Sequence, residues 1–420
     1  MLVASLFFYA WGEPLYVLLM LALVTADYWC GLRFARAAHP RALLAAAVSL
    51  HIALLFFYKY AGWLAGLFSL SFAAPRLPLG ISFYTFQSLS YVADTAKGRV
   101  KPEKNLFRLT LYVAFFPQLI AGPIVTYREV ATALSRRRTT LTGAAIGTRR
   151  FAAGLAKKML LANPAGTLFA LLTARPRLSA LGALTALFAF SFQIYFDFSG
   201  YTDMALGLGR LFGFRFPENF RYPYLARGAA DFWRRWHISL SSFFREYVYF
   251  PLGGSRRGTA RTLCNLFIVW ALTGLWHGAA WNFLLWGVYW FCLIAAERFI
   301  LKKEIGHPLA LVAVLFGWLI FAFDGSSAAL SLSALPAFLG ALFGKNGFLS
   351  RADGYDLVRY LPFLVLSVLA ATPLPRRLYR KIAYTKKGGF LRVALPLVAL
   401  FFSVAALSGA SFNPFLYFRF

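Results

Sequence analysis

The chain has 420 residues, of which 60% are hydrophobic, 18% aromatic and only 14% charged, whereas soluble domains run at about 45–50% apolar and about 25% charged. A soluble globular domain is therefore excluded. The formal charge of +29 comes from 44 Lys and Arg against 15 Asp and Glu; with no nucleic-acid recognition motif beside it, it reads as basic loops and headgroup contacts, not as nucleic-acid binding.

Apolar stretches recur in chain order at 14–36, 42–71, 78–95, 107–126, 151–173, 178–212, 262–281, 282–300, 308–323, 329–344, 356–373 and 391–409. Many approach the ~20 residues a helix needs to cross a bilayer, so the expectation is an all-α polytopic membrane protein with about ten transmembrane helices. Two segments are expected to dip in or lie at the interface. One is 78–95, which opens with Pro78 and Gly80, and the other is 228–252, too polar to face lipid. Basic loops at 97–104, 128–150 and 376–387 belong on the cytoplasmic side by the positive-inside rule. The first two flank 107–126, so they share a side only if that segment turns back at Pro117 or at the Gly122-Pro123 pair.

The N-terminus lacks the basic stretch, short apolar core and small-residue cleavage site of a secretory signal and is read as retained. Cys30, Cys264 and Cys292 have no paired spacing, which suggests neither a disulfide framework nor a zinc site. With no repeat and no linker, residues 1–420 read as one membrane-embedded domain with a histidine-bearing core at about 191–300.

Three segments carry the candidate chemistry. In 191–224, Gln193, Asp197 and Tyr201 recur at four-residue steps as a polar ladder on an apolar helix. A buried Asp197 needs an Arg partner or a hydrogen-bonded histidine; the alternative is a helix-packing network. In 231–254, Trp233, Trp236, His237, Leu240 and Phe244 form one stripe if the segment is a single helix. Arg234, Arg235 and Arg245 then project elsewhere, and Asp231 is spaced to pair with Arg235. An interfacial amphipathic helix explains this segment equally well. In 267–286, Trp270, Gly274, His277 and Trp281 share a helical face, and Gly274 with Gly278 lets another backbone approach beside the histidine. A histidine at membrane depth is costly and is a functional candidate by default; the alternative is a hydrogen bond across a helix pair.

A histidine suits general-base acyl transfer, because its pKa lies near neutrality, and a second polar donor could polarise the acyl carbonyl. No serine-hydrolase elbow, phosphate loop, dinucleotide glycine motif or His-Glu-x-x-His pair occurs, and a metal set of His237, His277 and Asp197 is disfavoured.

The stretches SLFFYAWGEP, LPLGISFYTFQSLSYVAD, FPQLIAGPI, FDFSGYTDMALGLGRLFGFRFPENFRYPY, DFWRRWHISLSSFFREYVYFPLGG, LTGLWHGAAWNFLLWG and NPFLYFRF follow one another along nearly the whole chain. Together they resemble the membrane-bound O-acyltransferase family, in its bacterial branch of alginate O-acetylation type. The resemblance implies a helical bundle around a central tunnel, with His277 of the WHG motif as the catalytic histidine and His237 as the second signature residue. It implies acetyl-coenzyme A as donor substrate with no tightly bound cofactor, and a polysaccharide as final acceptor. An esterase-like acetyltransferase, periplasmic or membrane-anchored, is the expected partner beside membrane lipid, in the bacterial inner membrane. Asp197, Tyr201, Trp233, Arg234, Trp236, Arg245, Trp276 and Asn282 are the candidates for donor or acceptor contact. Similar proteins carry one more apolar segment ahead of SLFFYAWGEP, so a first helix is expected to be missing or the start misassigned. A non-catalytic conduit or flippase of polysaccharide export, or D-alanyl transfer to teichoic acid, are the alternatives.

Overall fold

Helices account for all the regular structure among the described residues of the computed structural model, 1–120, 122–385, 387–409 and 415–416. The basic residue Lys386 and most of the closing NPFLYFRF stretch lie outside them. By internal contacts the chain divides into two units, Met1–Thr148 with Ala205–Glu218 and Ser242–Pro251, and Arg149–Met204 with Asn219–Ser241 and Leu252–Phe420.

The first unit contains α1 (Leu2–Gly12), α2 (Tyr16–Arg33), α3 (Pro40–Leu67), α4 (Ile81–Ala96), α5 (Leu106–Ala114), α6 (Phe116–Leu119), α7 (Tyr127–Arg136) and the start of α8 (Leu141–Ala156). Helix α4, the segment expected to dip in, is almost wholly buried and packs on α2, α3, α5 and α7. Its polar side chains are therefore shielded from lipid by protein, as backbone and side-chain hydrogen bonding at membrane depth requires. Gly80 starts it at φ +75°, where a side chain would also meet the Leu119 carbonyl oxygen at 2.8 Å. At its other end Asp94 accepts hydrogen bonds from Tyr247 Oη at 2.9 Å and from Arg99 at 3.3 Å.

The stretch 107–126 is not one span. It breaks at Phe115 into α5, nine residues long, and α6, which carries Pro117 near its start. Neither piece approaches the ~20 residues of a crossing. The stretch 128–150 is mainly helical and not a loop, because Thr126 and Glu129 form a capping box that starts α7. Its Arg128 reaches Glu246 at 3.1 Å.

The second unit holds α9 (Asn163–Thr173), α10 (Ala180–Leu211) as far as Met204, α11 (Ala229–Trp233), most of α12 (Ile238–Phe244), α13 (Gly258–His277), α14 (Trp281–Ala295), α15 (His307–Ala322), α16 (Leu335–Leu342), α17 (Arg351–Ala370), α18 (Leu374–Ala383) and α19 (Leu391–Ser408). Among the described residues five helices are long and apolar enough to cross a membrane, or six if the bent pair α17 and α18 counts as one span. The basic residues from Arg376 onward therefore start on helix α18 and not in a loop.

Two local expectations change here. The segment 231–254 is not a single helix: α11 ends at Trp233, His237 takes φ +45°, and α12 starts at Ile238. Likewise the helix bearing His277 ends on that residue, so Trp281 opens α14 and does not share a face with Trp270, Gly274 and His277. The hairpin of α13 and α14 is close-packed at glycine. A methyl group on Gly274 would overlap the carbonyl oxygen of Phe283, and one on Gly287 would overlap that of Trp270.

Candidate active site

The site is built on the α13–α14 hairpin, on α10 and on α15. His277 is the last residue of α13, followed by extended Gly278. The ring is 5% exposed. It meets Trp286 edge-on at 4.9 Å, Phe321 edge-on at 5.2 Å and its neighbour Trp276 at 4.9 Å between centroids. Asn282, at the start of α14, donates from Nδ2 to the Phe321 carbonyl at 3.3 Å. This bond ties α14 to the end of α15 and holds the Phe321 ring against the imidazole.

His277 lines a partly open cavity of about 20 Å³ together with Ile194, Asp197, Trp236, Trp318 and Leu416. The ladder on α10 is real. Gln193 lines a neighbouring cleft, Asp197 lines the His277 cavity, and Tyr201 packs on Phe415 with centroids 5.1 Å apart. The expected partner of Asp197 is corrected. Lys158 meets its Oδ1 at 2.6 Å and the Leu416 backbone N–H donates to its Oδ2 at 2.6 Å. Lys158 sits on a π-helical turn, Lys157–Ala162, that projects it toward α10.

His237 is fully buried and is not among the residues lining that cavity. Its ring lies edge-on to Phe198 at 4.7 Å, and Trp276 touches it at 5.8 Å while also touching His277. Asn219 holds it in place: its Oδ1 accepts from the Ser239 N–H at 3.1 Å and the Ser239 hydroxyl at 2.9 Å, and His237 Nδ1 lies at 3.3 Å. Burial lowers the pKa of this imidazole, so the ring is neutral, Nδ1–H donates to Asn219, and Nε2 keeps its lone pair. A left-handed residue at this point is strained, and the Asn219 bonds offset that strain. Replacing Asn219 with alanine removes the acceptor shared by Ser239 and His237 and is expected to destabilise the protein by about 1–3 kcal/mol. Thermal unfolding in detergent reads this as a lowered midpoint, and an unchanged midpoint would contradict it.

The remaining candidates divide by location. Trp236 lines the cavity and lies tilted against Trp318 at 4.7 Å, while Trp233 sits against Trp270 at 4.8 Å and Trp286 at 5.5 Å. Arg234 is exposed and pairs with Glu304 at 2.9 Å and Asp231 at 3.3 Å; the anticipated Asp231–Arg235 pair is present at 3.0 Å. Arg245 is exposed and belongs to the other unit. Sequence reasoning missed Lys158, Asn219 and Leu416. Lysine in the apolar run 151–173 was the available signal for the first; Asn219 and Leu416 give none in isolation.

Residues 54–303 match the model of the membrane-bound O-acyltransferase family, and they include Asn219, His237 and His277. The chain belongs to this family. Membrane-bound O-acyltransferases are polytopic membrane enzymes, so the chain is a multi-pass acyltransferase. It is 34% identical to the probable alginate O-acetylase of Pseudomonas putida over all of this chain and 94% of that one. It is 32% identical to the peptidoglycan O-acetyltransferase of Helicobacter pylori, over 83% of this chain and 74% of that one. The teichoic acid D-alanyltransferase of Bacillus subtilis is 31% identical, over 53% of this chain and 60% of that one.

Proposed function

We propose that this O-acyltransferase takes an acetyl group from acetyl-coenzyme A on the cytoplasmic side of the bacterial inner membrane and passes it toward O-acetylation of an extracytoplasmic polysaccharide. One observation carries the reading: an imidazole at a helix C-terminus lines an aromatic-walled cavity whose carboxylate, Asp197, is already ion-paired. A paired carboxylate is a poor proton acceptor, which leaves His277 as the base. O-acetyl transfer is favoured over D-alanyl transfer because relatives named as O-acetylating enzymes match far more of the chain.

In the proposed step His277 takes the proton of an acceptor hydroxyl as its oxygen attacks the thioester carbonyl. The new C–O bond forms, the C–S bond breaks, and coenzyme A leaves as a thiolate that recovers the proton from the imidazolium. His237, one tryptophan removed, positions this wall of the site. The exposed guanidinium of Arg234, in the same unit as His277, is the candidate for the coenzyme phosphates. Coenzyme A is a substrate here, released each turnover. By analogy with the family, the acetyl group is handed to a separate esterase-like transferase, periplasmic or membrane-anchored, which completes the reaction on the polymer.

The rival is a conduit that moves a polysaccharide intermediate without chemistry. Purified protein given radiolabelled acetyl-coenzyme A and the esterase-like transferase from its own gene cluster separates them. Acyl transfer predicts release of coenzyme A with label on the partner or its acceptor, and no release under any partner condition would favour the conduit.

A further inference from the structure

The cavity beside His277, at about 20 Å³, has room for roughly one water-sized group. One of its walls, Leu416, also lines a second cavity of about 370 Å³ that includes Gln193, Thr173, Asp324 and Ser326. Leu416 is thus the partition between a chamber the size of a methyl group and a cleft the size of a ligand site. It lies beyond α19, 219 positions along the chain from Asp197.

Its position is set by α10. The Leu416 N–H donates to Asp197 Oδ2 at 2.6 Å, while Lys158 Nζ lies 2.6 Å from Oδ1. The preceding ring, Phe415, packs on Tyr201 at 5.1 Å and Phe198 at 5.8 Å. A buried ion pair is a costly way to join two helices, since desolvation offsets most of the attraction. Here the carboxylate performs a second task, a charge-assisted bond to a backbone amide, the stronger kind of hydrogen bond.

We propose that Leu416 is the residue that limits the acyl group to acetyl, and that Asp197, clamped by Lys158, is the positioning residue that holds Leu416 there. This rests on the reading of His277 as the base beside the bound thioester. The acetyl methyl fits the chamber, and each added methylene must displace Leu416 toward the cleft. One methylene in a hydrophobic pocket is worth about 10–200-fold in discrimination, which is the scale of selectivity the wall provides.

The test uses membranes of the native host containing the full chain, supplied with acetyl-, propionyl- or butyryl-coenzyme A, and reads coenzyme A release. Leu416→Ala should raise the propionyl-to-acetyl rate ratio by about tenfold or more. Asp197→Asn, which keeps an acceptor for the amide but loses the ion pair, should shift it in the same direction by less. A merely structural role lowers all three rates together and leaves the ratio unmoved, and that result overturns the proposal. Should Leu416→Ala fail to accumulate, Leu416→Val carries the same comparison with a smaller excavation. If the wild-type protein releases no coenzyme A from any donor, the acyltransfer reading itself fails; if it does and the ratio stays fixed, only the role of Leu416 does.

Discussion

Cells in which His277 is replaced by alanine lose O-acetylation of their polymer, while the protein is still inserted in the membrane at wild-type level. The expected fall is about 10²–10⁴-fold, the contribution of one positioned general base. Folding should survive. His277 ends α13, where its backbone bonds are those of a helix terminus, and its ring packs edge-on against Trp286 and Phe321. His277→Gln, which keeps a polar side chain of similar reach but cannot take up the proton, should be as inactive as alanine. Acetyl content of the isolated polymer, set against the amount of protein in the membrane fraction, is the readout. Wild-type acetyl content in either variant would remove His277 from the mechanism.

Gly274→Leu is expected to collapse the protein rather than slow it. The backbone of α14 lies directly against Gly274, with the Phe283 carbonyl oxygen where a β-carbon would stand and the Gly287 Cα at 3.4 Å. A side chain there has no flexible neighbour to move, so the helices must part. Overpacking ordinarily costs about 1–3 kcal/mol; against backbone the upper end applies, and the separation carries His277 away from Trp286 and Asn282 away from Phe321. Size-exclusion profiles and thermal unfolding in detergent should show aggregated or strongly destabilised protein. Gly12→Leu, at a position with open space around it, should elute as the wild type does. A monodisperse, active Gly274→Leu variant would show that the hairpin does not need this contact.

What the chain revealed before folding, and what it withheld, follows the range of the interactions. The ladder of Gln193, Asp197 and Tyr201 was legible because a four-residue step on a long apolar helix fixes which side chains share a face. The Gly274 contact was legible for the same reason, whereas Gly278 abuts the Phe283 ring and not a backbone. His237 was misplaced on a continuous helix, since its left-handed conformation depends on Asn219, 18 residues upstream, and no local pattern encodes that bond. Asp197 invited an arginine or histidine partner by charge alone; the lysine that meets it comes from a π-helical turn whose extra residue alters the facing. Leu416 reaches the site across 219 positions of sequence, and a lone leucine near an apolar helix carries no mark of it.

The two histidines have unequal roles, one lining the cavity and one buried behind Trp276. The most direct measurement compares coenzyme A release by purified His277→Ala and His237→Asn at matched amounts of folded protein, with acetyl-coenzyme A and the partner transferase. Asparagine tolerates the left-handed conformation at position 237 and can still donate to Asn219. His277→Ala should show background release at every donor concentration, and His237→Asn measurable release with a raised KM. Release by His277→Ala at the wild-type rate, or background release from His237→Asn alone, would contradict these unequal roles.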